Sequence, residues 1–171
     1  MNRWQRLFEG IKTEIVAFLF FSVLLTIFRA VFLWIFQSQL ATVPIEEILK
    51  SLWFGFRLSL KTVGIICLFG FILGTLVQTF VPKWPSLRLK QIIYSIATIL
   101  LTFLFLGRIP FYKIFNSSYN MMLINGKHDD IGAIVNTAIN EYNAFFYIIC
   151  AIVISVILTG FLLKVLSIST K

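Results

Sequence analysis

The sequence predicts an all-α membrane protein with about four transmembrane helices. Of its 171 residues, 59% are hydrophobic and 13% are charged, which is far from the balance of a soluble globular domain. Four apolar stretches approach the roughly twenty residues that a helix needs to cross the hydrocarbon layer. Each stretch is apolar on every face, whereas the strands of a membrane barrel alternate in polarity, so the pattern favours helices.

We place the spans at about 14–37, 62–81, 91–112 and 144–166, within one transmembrane domain that covers residues 1–171. The first apolar run is too long for a cleaved signal peptide and contains bulky aromatic residues, so we interpret it as a retained span.

Lys and Arg near span ends tend to stay on the cytoplasmic side, and three groups of them fall on one side of this arrangement. They are Arg3, Arg6 and Lys12 before the first span, Lys83, Arg88 and Lys90 between the second and third, and Lys164 and Lys171 after the fourth. The basic residues of the other two loops are nearly balanced by acidic ones. Both termini are therefore predicted to be cytoplasmic.

Two segments on the predicted outer side are expected to form amphipathic interfacial helices, at about 43–61 and 113–142. In the first segment, the acidic residues 46–47 favour the positive N-terminal end of a helix, and few helix breakers follow. This helix should therefore continue directly into the second span. In the second segment, either acidic residue of 129–130 can start a helix whose apolar residues recur at amphipathic spacing.

The sharpest single feature is Arg29, which lies inside the first span and is followed by AVFLWIF before any polar residue. A charge at that depth usually faces a partner or an aqueous cavity, although Arg29 could also snorkel to the outer interface. Arg57, Lys61, Arg108 and Lys113 fall at roughly the same predicted level. Because Arg grips phosphate through paired N–H donors and Lys adds a compact charge, this set predicts a site for an anionic lipid headgroup. Independent interface anchors are the alternative.

Small residues inside the spans indicate packing. Gly70 and Gly74 form a GxxxG spacing that allows close approach of a neighbouring helix, and packing within the chain is favoured over dimerisation. Cys67 and Cys150 lie in different spans without neighbouring ligand residues, so we predict that they pack and have no metal or redox role.

No catalytic centre is recognisable. An intramembrane enzyme would need a nucleophile and a base at one depth, which Ser22, Ser155 and the single histidine, His128, do not obviously supply. His128, Asp129 and Asp130 could bind a cation, but adjacent Asp residues at a helix start more often cap it. We predict no catalytic residue, metal site or cofactor in this chain.

The net charge of +8 is distributed between hydrophobic spans and forms no continuous soluble patch. Anionic phospholipid or glycolipid headgroups are therefore the predicted counter-charge, and nucleic acid is not.

Three segments carry a resemblance: the pair Phe28 and Arg29, WFGFRLSLK at 53–61, and FYKIFNSSYNMMLINGKHDDIGAIVNTAINEYN at 111–143. They resemble the N-terminal membrane region of the lipoteichoic acid synthase family, the sulfatase-like phosphoglycerol transferases. The third segment is similar to the stretch between that family's third and fourth spans. The resemblance implies a module of the bacterial cytoplasmic membrane beside an extracellular, metal-dependent domain that transfers glycerol phosphate from phosphatidylglycerol through a Thr nucleophile.

The family's fifth span, catalytic domain, Thr nucleophile and metal ligands are absent from this sequence, so no catalytic residue carries over. We expect a non-catalytic module that binds anionic lipid or scaffolds a separate or missing extracellular transferase domain in cell-envelope polymer synthesis. The sequence leaves open whether the chain is a fragment, a split gene product or an independent protein.

A small transporter subunit or membrane accessory protein is the alternative, with Arg29 lining a translocation path. The other polar residues available to such a path are Thr26, Thr75, Gln78, Thr98 and Thr102.

Overall fold

The computed structural model describes residues 2–40, 43–117, 139–140 and 143–169, and no strand occurs among them. The helices are α1 (Arg3–Ile35), α2 (Gln37–Leu40), α3 (Ile45–Gly70), α4 (Val77–Phe80), α5 (Ser86–Phe115) and α6 (Ala144–Ser169). A π-helical segment, Phe71–Leu76, joins α3 to α4 without a break and is called the π segment below.

Four helical stretches of the described residues are long and apolar enough to cross a membrane. They are Arg3–Ile35, Ile45–Phe80, Ser86–Phe115 and Ala144–Ile168. The predicted all-helical fold is confirmed for this part of the chain, and its four long apolar helices suit a multi-pass membrane protein. Only 17% to 28% of each apolar window is buried inside the protein, so most side chains of the spans are available to lipid.

The helices are longer than the predicted spans because helical backbone continues past the apolar residues. The first helix begins at Arg3, well before the apolar run that we placed from about residue 14. Its 33 residues extend about 50 Å, compared with a hydrocarbon layer of about 30 Å. Backbone hydrogen bonds within a helix do not depend on side-chain polarity, so hydropathy locates a span and not the helix ends.

The predicted continuity between segment 43–61 and the second span is confirmed. Helix α3 begins at Ile45, directly after Pro44, and runs through the π segment to Phe80. Residues 113–115 of the second predicted interfacial helix, 113–142, instead continue α5. Residues 118–138 and 141–142 of that segment, with the candidate cation ligands His128, Asp129 and Asp130, lie outside the described residues.

The chain forms two compact units, residues 1–97 with 160–171 and residues 98–159, and each is described by itself. The core of the first unit is a stripe along one face of α1 together with residues from α3, α5 and the end of α6. Its apolar members include Ala17, Phe21, Leu24, Phe28, Val63, Tyr94, Leu162 and Leu166. Phe21 and Tyr94 meet edge to face at 5.8 Å between ring centroids, which joins α1 to α5.

The second unit has a smaller core of Leu106, Ile109, Phe111 and Ala151. The rings of Phe111 and Phe115 lie 4.7 Å apart at the end of α5. Asn116 then adopts a φ of 48°, in the left-handed region that commonly ends a helix.

Candidate functional site

Arg29 lies against α3 within the first unit and is half-buried. Its Nη1 donates to the carbonyl oxygen of Leu52 at 3.4 Å, and its Nη2 donates to the hydroxyl of Ser59 at 3.3 Å. The Ser59 hydroxyl donates in turn to the carbonyl oxygen of Gly55 at 3.0 Å. We call these four residues the Arg29 site. These two hydrogen bonds are at the long end of the usual range, and they orient the guanidinium against α3.

Gly55 makes this arrangement possible. A Cβ added at Gly55 would collide with the guanidinium of Arg29, so only glycine lets the group lie flat against α3 at this position. The Arg29 side chain lies between α1 and α3, where it donates hydrogen bonds to Leu52 and Ser59. The sequence identified Arg29 as unusual but not the α3 residues that receive it.

Arg57 and Lys61 are exposed residues of α3 at the height of the Arg29 site. A helix turns about 100° per residue, which places Arg57 on the face of α3 opposite Gly55 and Ser59. Lys61 lies close to Arg57 on that opposite face. Arg29, Arg57 and Lys61 therefore lie at one level. Arg29, from α1, lies against one face of α3, whereas Arg57 and Lys61 project from the opposite face of α3.

Arg108 and Lys113 belong to the second unit. Arg108 is half-buried near the end of α5, and Lys113 is exposed. The ammonium of Lys113 donates to the hydroxyl of Tyr147 at 3.0 Å and lies 5.5 Å from the centre of that ring. Tyr147, on α6, is a partner that the sequence did not indicate.

A second charged group, which the sequence analysis missed, is buried where α1, the π segment and α5 meet. Glu14 is 9% exposed and Lys90 is 2% exposed, and the Lys90 Nζ lies 2.8 Å from a Glu14 carboxylate oxygen. The Thr75 hydroxyl donates to the same oxygen, Oε1, at 3.2 Å, and the Tyr94 hydroxyl donates to the other, Oε2. The Lys90 Nζ also donates to the carbonyl oxygen of Gly10 at 3.0 Å. We call Glu14, Thr75, Lys90 and Tyr94 the Glu14 cluster.

The sequence analysis placed Lys90 between the second and third spans and did not identify its buried partner. Lys90 lies inside α5, and its side chain is enclosed by the protein. Burial of a lysine is tolerated here because Glu14 supplies the opposite charge and Gly10 supplies a second acceptor. The available signal was the four-residue spacing of Lys90 and Tyr94, which places both on one helix face.

Two glycines make room for the Glu14 cluster. A Cβ added at Gly70 would collide with the Tyr94 hydroxyl, and one added at Gly74 would lie 2.6 Å from the Lys90 Cε. The prediction that this GxxxG pair serves packing within the chain is confirmed at these positions. Gly64 differs, because nothing lies within 4 Å of a Cβ placed there.

Four of the five polar residues proposed for a translocation path make side-chain hydrogen bonds within the protein. Thr26 and Thr102 donate their hydroxyls to carbonyl oxygens one turn earlier in their own helices. Thr75 belongs to the Glu14 cluster, and the Gln78 side chain accepts from Ser86. This arrangement gives transport no specific support.

In the part of the chain that the structure describes, no group of three or more His, Cys, Asp or Glu residues is placed to hold a metal ion. Cys67 and Cys150 are free thiols.

No family model, no curated protein and no solved structure matches this chain. The resemblance of 53–61 and 111–143 to the lipoteichoic acid synthase family therefore stays a prediction from sequence pattern.

Proposed function

We propose that this chain is a non-catalytic, multi-pass membrane module that binds an anionic phospholipid or glycolipid headgroup at the level of the Arg29 site. In this proposal the module lies in a bacterial cytoplasmic membrane and scaffolds an extracellular phosphoglycerol transferase domain of cell-envelope polymer synthesis. The observation that carries the lipid assignment is the half-buried Arg29 guanidinium, oriented against α3 by Leu52 and Ser59. The scaffolding role rests on the sequence resemblance alone.

The chemistry of the Arg29 site suits a phosphate group. A guanidinium is planar, always charged and matched to phosphate oxygens through paired N–H donors. Its contacts with α3 restrict its orientation before a ligand arrives, which lowers the entropy lost on binding. A headgroup at this site would meet a positioned charge.

The surroundings of the site suit the membrane interface. Trp34 on α1 and Trp53 on α3 are both exposed, and Trp side chains favour the boundary between hydrocarbon and water. Arg57 and Lys61, exposed on the other face of α3, add attraction for anionic lipid of about 1 kcal/mol per cation. They would concentrate anionic lipid around α3, and Arg29 would contact one headgroup directly.

Native mass spectrometry of the whole chain, purified from mixed phosphatidylglycerol, glycolipid and phosphatidylethanolamine, tests the lipid assignment. We expect selective retention of phosphatidylglycerol or the glycolipid, and the mass of the retained lipid distinguishes these two. In the double variant Arg29→Gln/Arg57→Gln the selectivity should fall about tenfold or more, because two cations are lost.

The matched control is Lys83→Gln/Arg88→Gln, which removes two exposed cations from the predicted opposite side of the membrane. Selectivity should be retained in this control. Equal losses in both double variants, or equal retention of zwitterionic lipid by the unmodified chain, would contradict the proposal.

A further inference from the structure

The Glu14 cluster joins three separate stretches of the chain through one carboxylate. Glu14 belongs to α1, Thr75 to the π segment, and Lys90 and Tyr94 to the first part of α5. Both carboxylate oxygens accept from these partners, so α1 contacts the other two stretches through the same side chain. A change at Glu14 therefore affects the π segment and α5 together.

The contact between Thr75 and Glu14 depends on the π segment. A π-helical turn holds more residues than an α-helical turn, so its presence changes the direction of the side chains within and after it. If residues 71–76 were α-helical and α3 stayed in place, the Thr75 side chain would be rotated about the helix axis. The rotation would be most of the roughly 100° that separates successive residues of an α-helix. The Thr75 hydroxyl would then leave Glu14. The complete Glu14 cluster therefore requires the π form.

A further contact involves a residue of the π segment. The indole N–H of Trp84 donates to the carbonyl oxygen of Leu73 at 2.9 Å. In an uninterrupted α-helix, a carbonyl at this position would accept from the backbone N–H four residues later. The Trp84 indole thus bonds directly to a residue of the π segment, which makes its N–H a reporter of the segment's conformation.

We propose that Glu14 is a conformational switch residue that holds the π segment in its π form and the first part of α5 against α1. π-helical turns are rare, and here the Thr75 hydroxyl of the π segment contacts Glu14, which is also paired with the Lys90 ammonium. Loss of the Glu14 charge returns residues 71–76 to α-helix. Lys90, only one turn into α5, then extends its ammonium towards the end of that helix. This inference does not depend on lipid binding.

The reactivity of Cys67 measures how far the packing around the π segment loosens when the Glu14 charge is lost. The Cys67 thiol is free and buried on α3, one turn before the π segment. Cys150, on α6, is the other cysteine of the chain and is replaced by Ser to leave a single thiol. The rate at which N-ethylmaleimide alkylates Cys67 in the full chain in liposomes then measures access to this core.

In Glu14→Gln we expect the alkylation rate of Cys67 to rise about tenfold or more, because removal of one charge leaves Lys90 uncompensated. Thr75→Val, which removes one donor and keeps the side-chain shape, should raise the rate by a smaller factor. The matched control is Thr79→Val, since Thr79 donates only to the Thr75 carbonyl oxygen of its own helix and makes no contact with Glu14. Its rate should equal that of the parent.

A second measurement separates the switch from general unfolding. The NMR resonance of the Trp84 indole N–H should move in Glu14→Gln, while those of Trp34 and Trp53 at the Arg29 level stay in place. Movement of all three resonances would overturn the inference, because it reports unfolding and not a local change. An unchanged Trp84 resonance in Glu14→Gln, or equal alkylation rates in Thr75→Val and Thr79→Val, would also overturn it.

Discussion

Glu14 and Arg29 are two charged residues of the same helix that the protein accommodates differently. They are about 22 Å apart along α1, from the rise of about 1.5 Å per residue. Glu14 is enclosed with an oppositely charged lysine and two hydroxyl donors. Arg29 is half-buried and donates to a backbone carbonyl and a serine hydroxyl.

The two charged side chains differ in how far the protein encloses them. In the Glu14 cluster, both carboxylate oxygens are occupied by neighbouring helices, so removal of a partner leaves a charge stranded in an apolar interior. At the Arg29 site, the group is oriented but remains partly exposed at the level of two exposed tryptophans. We therefore expect substitutions in the cluster to affect stability and substitutions at the Arg29 site to affect lipid binding.

The largest expected effect is from Lys90→Met, which leaves the Glu14 carboxylate without its counter-charge. Breaking a buried pair from one side destabilises proteins by about 3–5 kcal/mol, and we expect a loss of that order in unfolding by denaturant in mixed micelles. Glu14→Leu/Lys90→Met should recover part of the loss, because both charges are then removed although the Thr75 and Tyr94 hydroxyls lose their acceptor. Arg29→Met is the comparison, and a loss as large as that of Lys90→Met would remove the distinction between the two sites.

A smaller loss of unfolding free energy is expected from Gly74→Ala. The added methyl would lie 2.6 Å from the Lys90 Cε and 2.8 Å from its Cγ, and this side chain is held at its tip by Glu14 and Gly10. Overpacking of this kind destabilises by about 1–3 kcal/mol, measured in the same unfolding assay. Gly64→Ala is the control, since its methyl has open space and alanine favours a helix by up to about 1 kcal/mol. Similar stabilities for both variants would contradict the assigned role of Gly74.

The smallest effect on stability is expected from Gly55→Ala, although it also places a methyl against a charged side chain. Here the obstructed atoms are the far end of Arg29, which can swing away, so the change in unfolding free energy should stay within about 1 kcal/mol. Selective retention of phosphatidylglycerol should fall nevertheless, because Arg29 loses its orientation against α3. Ser51→Ala, at an exposed position of α3, should retain it. Unchanged retention in Gly55→Ala would show that this orientation is not needed.

The two sites also differ in how visible they are in the sequence. Arg29 interrupts an apolar run, so its unusual burial is a local property that one segment reveals. Glu14 and Lys90 each lie at the edge of an apolar run, where charged residues are ordinary. Glu14 and Tyr94 are 80 positions apart, and no local pattern indicates that they meet. For the same reason the sequence does not indicate that the Arg29 side chain packs against Gly55 or that the Lys90 side chain packs against Gly74.

The sequence by itself determined that this protein is helical and multi-pass, because an apolar segment inside lipid must satisfy its backbone hydrogen bonds internally. It also determined where Arg29 interrupts the first of these segments. Only the tertiary structure decided that Lys90 is a buried partner of Glu14 and that Arg29 lies on α3 while Arg57 points from its opposite face. Those outcomes depend on which helix faces meet, and that is set by close packing between residues distant in the chain.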